Sequence, residues 1–296
     1  MKTGTVTIVG RPNVGKSTLL NALLGEKIAI VSDKPQTTRT RILGVVHRPD
    51  AQVLVLDTPG LHKPQYKLNS RMVRVTIETL GEADVIYVMV EATSPPGPGD
   101  RAVFEQVREA AAAAGDGPKV FLLINKVDLV NKAKVLPIIE AYSRMLQWEE
   151  VVPLSASTGI NVDRLLDLTI KLLPEGQAPY GEDFLTDQPM RTLAAELIRE
   201  KILAQTREEV PYSVAVFIDR FVEEGKLTKI AATILVERDS QKAIVVGKGG
   251  LRLKEIGTAA RLDMERLFGM KVFLELWVKV REGWREDEQV LTELGY

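Results

Sequence analysis

Five short apolar runs set the strongest limit on how this chain can fold: Val6 to Val9, Val53 to Leu56, Val85 to Val90, Val120 to Ile124 and Val151 to Leu154. Nearly every residue within them is aliphatic, so a strand built from one must be buried on both faces, as in a parallel sheet. Helical patterns lie between the runs, among them Ser17–Leu24, Arg101–Ala114 and Val162–Leu172. Alternation of this kind predicts an α/β domain with a doubly wound, mostly parallel sheet over residues 1–173. Ser94-Pro95-Pro96-Gly97-Pro98-Gly99 is expected to be a loop, and Leu173-Pro174-Glu175-Gly176 breaks the last helix and opens a linker over 174–189.

A different rhythm fills residues 190–296. A helix pattern at Arg191–Thr206 precedes two alternating strand patterns, Ser213–Val222 and Leu227–Val236, which turn at Glu224-Gly225 and so form a hairpin with one buried face. A helical stretch interrupted by Gly247-Lys248-Gly249-Gly250 follows, then a strand pattern over Lys271–Val280. The expectation is a smaller α+β domain.

Chemistry gathers at the ends of the first domain's strands. Gly10-Arg11-Pro12-Asn13-Val14-Gly15-Lys16-Ser17 fits the phosphate-loop spacing, in which glycines let successive amides face one anion at a helix N-terminus. Lys16 can reach the β- and γ-phosphates and Ser17 can ligate Mg²⁺; Val14 and Thr18 complete the phosphate set. Asn125-Lys126-Val127-Asp128 ends the fourth run and selects the base. An Asp128 carboxylate can accept two hydrogen bonds from guanine, a donor pair that adenine lacks. Asn125 is expected to contact the base edge and tie loops together, Lys126 to lie along the base, and amides of Ser155-Ala156-Ser157 to meet the guanine oxygen. Asp57-Thr58-Pro59-Gly60 places Asp57 on Mg²⁺ through water and the Gly60 amide on the γ-phosphate. Thr38 is the expected mobile metal ligand, with Thr37 as the weaker choice. Lys16, Thr38 and Gly60 are thus the candidate catalytic residues, with GTP as substrate and GDP as product.

Composition removes several alternatives. There is no cysteine among the 296 residues, which excludes disulfide partners and thiolate chemistry. No apolar run approaches the ~18 residues of a membrane span, and no signal peptide is evident, so the cytoplasm is the expected compartment. A net charge of -1 argues against coating nucleic acid by bulk electrostatics. His47 and His62 read as solvated loop residues, Trp277 and Trp284 as packing, and Arg285-Glu286-Asp287-Glu288 as a solvated helix start.

The first domain resembles translation-factor-type P-loop GTPases. Many of these carry a glutamine after the Gly60 position; here it is Leu61, which cannot orient water. This implies slow intrinsic hydrolysis aided by a partner, another side chain or a monovalent cation, and the resemblance offers K⁺ at Asn13. The order helix, strand, strand, helix, GxxG, helix, strand resembles a type II KH domain. In such a domain the loop clamps single-stranded nucleic acid. Gly247, Lys248, Gly249, Gly250, Arg252 and Lys254 are then the RNA-binding candidates, with Ile244 and Leu253 as possible groove walls. Together with Gln36-Thr37-Thr38-Arg39 and Glu209-Val210-Pro211-Tyr212, the combination resembles the Era family of bacterial GTPases. That resemblance implies binding to small-subunit ribosomal RNA near its 3′ end, a role in 30S assembly and, in some bacteria, peripheral association with the inner membrane. An RNA-modification GTPase is the enzyme-class rival, but usually has cysteine chemistry or a cofactor domain. The other rival is a binding module that holds GTP structurally.

Overall fold

A computed structural model describes residues 1–61, 65–113 and 117–296. His62 and the Ala114 end of one expected helix lie outside the described residues. Contacts divide the chain into two units, the first comprising Met1–Ala29, Thr38–Pro64 and Asn69–Asp187, the second Ile30–Thr37, Gln65–Leu68 and Gln188–Tyr296.

In the first unit the strands are β1 (Lys2–Gly10), β2 (Ile42–Arg48), β3 (Ala51–Asp57), β4 (Val85–Glu91), β5 (Lys119–Asn125) and β6 (Glu150–Pro153). They form one sheet in the order β2-β3-β1-β4-β5-β6. All pairings are parallel except β2 with β3. The helices are α1 (Lys16–Leu24), α2 (Lys67–Leu80), α3 (Pro98–Ala113), α4 (Lys132–Ser143) and α5 (Val162–Leu172). Alternate residues of β1 feed two separate cores. Val6 and Ile8 pack with Leu20 of α1 and Leu165 of α5, whereas Val9 packs with Leu80 of α2 and Val107 of α3. Burial on both faces is the physical reason for the unbroken apolar runs.

Three details differ from expectation. Ile42–Arg48 forms an added antiparallel edge strand. The segment read as loop ends early, because Pro98 begins α3, where its missing N–H costs nothing. The stretch after α5 is not loose: Val45 N–H donates to the Leu185 carbonyl at 2.9 Å. Tyr180 and Phe184 stack with centroids 4.3 Å apart. His47 belongs to this arrangement and is not a solvated loop residue. It sits on β2, with Nε2 2.8 Å from the Phe184 carbonyl and Nδ1 3.3 Å from Gln52.

The second unit contains α6 (Met190–Gln205), α7 (Val210–Ser213), β7 (Ala215–Glu224), β8 (Leu227–Val236), α8 (Asp239–Val246), α9 (Leu251–Phe268), β9 (Lys271–Val280) and α10 (Glu288–Glu293). Its sheet runs β7-β8-β9, antiparallel then parallel. Val272 and Val278 of β9 turn to the same core as Ile198, Ile256 and Met264 from α6 and α9. Trp284 is fully buried and donates from Nε1 to the Ser213 carbonyl at 3.0 Å, so packing holds for it. Trp277 departs from that expectation: it is 47% exposed, on the opposite parity of β9 from the core residues. Arg285 is not solvated either, since it pairs with Glu237 at 2.5 Å and lies over the Tyr66 ring. Among the described residues no helix is long and apolar enough to cross a membrane.

Candidate functional site

The phosphate loop joins β1 to α1, and its form depends on residues far away in sequence. Gly15 has φ 104°, a region that favours glycine. A side chain there would meet Asn125 Nδ2 at 2.3 Å. That space is needed because Asn125, buried at the end of β5, donates to the Val14 carbonyl at 2.7 Å and accepts from the Ala156 amide at 2.9 Å. Removing the side chain would leave two buried groups unpaired, at about 1–3 kcal/mol each. Lys126 adds a second tie, donating to the Asn13 carbonyl at 2.8 Å and pairing with Glu91. Arg11 makes a third, 2.9 Å from the buried carboxylate of Asp100 on α3. Neither Asp100 nor Glu91 has a sequence signal; both act through three-dimensional contact alone.

Lys16 is buried and its ammonium donates to the Arg11 carbonyl at 3.1 Å and to that of Gly10 at 3.4 Å. Burial pulls its pKa down to about 8, against the opposing pull of Asp57. Asp57 closes β3. Burial pushes its pKa up to about 6, although Lys16, Ser17 and Thr38 all favour the ionised form. Three oxygens converge there. Ser17 Oγ donates to Asp57 Oδ2 at 2.5 Å, Thr38 Oγ1 lies 2.8 Å from Ser17 Oγ, and Thr38 Oγ1 is 3.5 Å from the carboxylate. The other Asp57 oxygen is buried and accepts no well-formed hydrogen bond. Hydroxyl and carboxylate oxygens around an under-satisfied buried anion suit a hard divalent cation such as Mg²⁺. Among the described residues no group of three or more His, Cys, Asp or Glu side chains could hold a metal.

Thr38 rather than Thr37 reaches this cluster; the Thr37 hydroxyl donates instead to the Lys34 carbonyl at 2.6 Å. Gly60 lies against Pro12, and the Leu61 N–H donates to the Gly10 carbonyl at 3.2 Å. The Leu61 side chain is only 8% exposed and packs with Val9 and Leu80. Asp128 is exposed beyond β5, in a short turn that begins after Lys126. Two of the three amides expected at the guanine oxygen have partners within the fold. Ser155 N–H donates to the Ile160 carbonyl, and Ala156 N–H to Asn125. Ala156 thus braces Asn125 and its loop, a role that no local pattern signals. Thr18, on the first turn of α1, lines a hollow of about 420 Å³ together with Ala156 and Ser157.

In the second unit the Gly247–Gly250 turn joins α8 to α9. Gly247, Gly249 and Gly250 all have positive φ, at 71°, 59° and 77°. A side chain on Gly247 would also strike Arg252 Cβ at 2.8 Å. Lys248 and Lys254 are exposed. Arg252 donates from one guanidinium nitrogen to the Ile244 carbonyl at the end of α8, an exposed bond that leaves its charge and its other N–H donors available to an anion. Behind the turn lies a groove of about 370 Å³ lined by Gly250, Leu253, Lys254, Gly257, Leu274 and Leu276. Leu253 is therefore a wall; Ile244 is not among the lining residues. Gly257 was not anticipated. A side chain there would press on Leu276 at 3.2 Å, and a glycine inside a helix was the available signal.

Comparison with known proteins covers both units. The family model described as 50S ribosome-binding GTPase matches residues 5–126, and the KH domain model matches 209–285. GTPase Era of Geobacter metallireducens is 52% identical over 297 aligned positions, spanning 100% of this chain and 98% of the relative. GTPase Era of Staphylococcus haemolyticus is 48% identical, spanning 100% and 97%. Among solved structures, the crystal structure of Era in complex with MgGDPNP and nucleotides 1506–1542 of 16S ribosomal RNA superposes with a TM-score of 0.94. It is 44% identical, with 100% of this chain and 99% of that one covered. Aquifex aeolicus Era bound to GDP and aluminium fluoride gives 0.94 at 43% identity, with the same coverage.

Proposed function

This chain belongs to the Era family of GTPases, and from that premise we propose that it is a slow GTP-driven switch on an RNA clamp. Its RNA target is the small-subunit ribosomal RNA near the 3′ end, on assembling 30S subunits. The observation that carries the reading is the meeting of Ser17, Thr38 and Asp57 oxygens beside the buried Lys16. Such a cluster suits a Mg²⁺-nucleotide and draws in a threonine from a separate loop.

In this reading Gly10, Asn13, Val14, Gly15 and Thr18 frame the phosphates, and Lys16 places its charge against the β- and γ-phosphates. Ser17 and Thr38 ligate Mg²⁺ directly and Asp57 through water. The cation, when bound, neutralises charge that develops on the phosphates. Gly60 offers its amide to the γ-phosphate. Asp128 reads guanine, Lys126 lies along the base, and Asn125 holds loop and base pocket together through Val14 and Ala156. Leu61 is packed in the core and orients no water, which supports a slow intrinsic rate. K⁺ at Asn13 compensates in part; equal turnover in potassium and sodium would remove it.

For the clamp, Gly247, Gly249 and Gly250 let the backbone approach phosphates, Lys248 and Lys254 supply charge, and Leu253, Leu274 and Leu276 floor the groove under the bases. We place the protein in the cytoplasm, with peripheral association at the inner membrane to be sought by cell fractionation. The direct test of the function is GTP turnover with and without small-subunit RNA. Stimulation by the RNA is expected; unchanged turnover would make GTP a structural ligand.

A further inference from the structure

Arg11 lies in the phosphate loop, but its side chain is received by the start of α3. The 94–99 stretch, which the nucleotide chemistry leaves unused, forms part of the surface that receives it. A Cβ on Gly99 would lie 2.6 Å from Arg11 Cδ and 3.5 Å from Cγ, and one on Gly97 would lie 3.9 Å from Nη1. Neither glycine has a positive φ, so Gly99 is explained by the room its missing side chain leaves for the Arg11 stem. Asp100, 1% exposed, meets the charge, with Arg11 Nε 2.9 Å from its Oδ1. The other oxygen, Oδ2, accepts from the Gly97 N–H at 2.8 Å and from the Tyr142 hydroxyl at 3.3 Å. Tyr142 is fully buried, and burial pushes its pKa up, which keeps the hydroxyl a donor. Asp100 Oδ1 accepts no well-formed hydrogen bond, so the Arg11 charge is what compensates its burial.

The backbone beside that side chain meets two groups assigned to the γ-phosphate. The Arg11 carbonyl accepts from the Lys16 ammonium at 3.1 Å, and Gly60 lies against Pro12. Asn125 and Lys126 fasten the loop at Val14 and Asn13; Arg11 fastens it at the end that Lys16 and Gly60 touch. We propose that Arg11 is a positioning residue for GTP hydrolysis. The Asp100 ion pair and the glycine saddle at 97–99 fix its side chain, and with it the 11–12 backbone that sets Lys16 and Gly60 at the γ-phosphate. This rests on the reading of Lys16 and Gly60 as γ-phosphate groups. Removing one partner of a buried ion pair leaves the other charge uncompensated, and it also frees the loop at this end. A misplacement of about 1 Å in a positioned group can cost about 100-fold in rate, so a loosened loop acts on hydrolysis more than on ground-state binding.

The test is single-turnover GTP hydrolysis by the full chain carrying Arg11→Met, Asp100→Asn or both, with GDP affinity measured alongside. Each single variant should lower the hydrolysis rate constant about ten-fold and GDP affinity by no more than about three-fold. The two together should do no worse than either alone, because both remove the same tie. Arg11→Lys, which can set an ammonium beside Asp100, should recover most of the loss. Losses that multiply in the double variant, an unchanged rate in Arg11→Met, or equal losses in rate and GDP affinity overturn the proposal. The last of these is the mark of a loop that is merely destabilised. Lys16→Ala tests the underlying reading: if it hydrolyses GTP at the wild-type rate, the assignment of Lys16 fails and the proposal with it. Should Asp100→Asn not fold, the comparison of Arg11→Met with Arg11→Lys decides alone, recovery by lysine supporting the ion pair and no recovery overturning it.

Discussion

Replacing Gly60 with alanine should cost the protein its preference for GTP over GDP. A Cβ at this position would lie 2.7 Å from Pro12 N, 2.8 Å from Pro12 Cα and 2.9 Å from Pro12 Cγ. Ordinary contact begins at 3.4 Å, so the overlaps are about 0.5 to 0.7 Å. Two of the three atoms are backbone of the phosphate loop, which side-chain rotation cannot move aside. Overpacking that forces backbone shifts costs about 1–3 kcal/mol, or about 5- to 150-fold in an equilibrium constant. Only a state with Gly60 closed against Pro12 pays that cost, and under the proposed function that is the GTP-bound state. Equilibrium titration with a fluorescent GTP analogue and with GDP, both in Mg²⁺, should show GTP affinity reduced within that range and GDP affinity unchanged. Wild-type affinity for the analogue would refute the reasoning, and an equal loss for both nucleotides would show that the contact is not state-specific.

Asp128→Asn should weaken GTP binding about 100-fold, for two charge-assisted hydrogen bonds weakened or lost, and shift preference toward xanthosine nucleotides; competition binding checks both. Mg²⁺ affinity should fall with pH, because burial raises the Asp57 pKa to about 6. Above that value the carboxylate is ionised and available to the hydrated cation; below it a proton must first be displaced. Mg²⁺ titrations from pH 7.5 to 5.5 should therefore show a decline that Asp57→Asn lacks, and equal pH profiles for the two proteins would contradict it. Lys248→Glu combined with Gly249→Glu should abolish RNA binding in a gel-shift assay and leave GTP affinity intact.

Much of the nucleotide site was legible because phosphate and base chemistry demand fixed residue types at strand ends. The fold brings Ser17, Thr38 and Asp57 together near Lys16 and sets Asn125 against the phosphate loop. The second unit's element order was legible from alternating apolar residues and glycine turns, with β9 covering Lys271–Val280 as expected. What stayed hidden depends on partners remote in sequence. The Ser155 and Ala156 amides look available until the fold shows them given to Ile160 and Asn125. Arg252 reads as a cation beside a glycine turn, and only the fold shows that it also donates to the Ile244 carbonyl. Helix α4 carries Pro137 within it, which masks a pattern that Asn131 nonetheless caps. Arg199 donates to the Thr37 carbonyl from 162 residues away, and no local pattern could join them.

Nucleotide state at the first unit is predicted to set RNA affinity at the second. The most direct measurement is the affinity of the full chain for a single-stranded RNA from the 3′ end of the small-subunit ribosomal RNA. It is made once with a non-hydrolysable GTP analogue and once with GDP. Tighter binding with the GTP analogue, lost in the Lys248→Glu and Gly249→Glu protein, is the predicted result. Equal affinity in the two nucleotide states would contradict the claim.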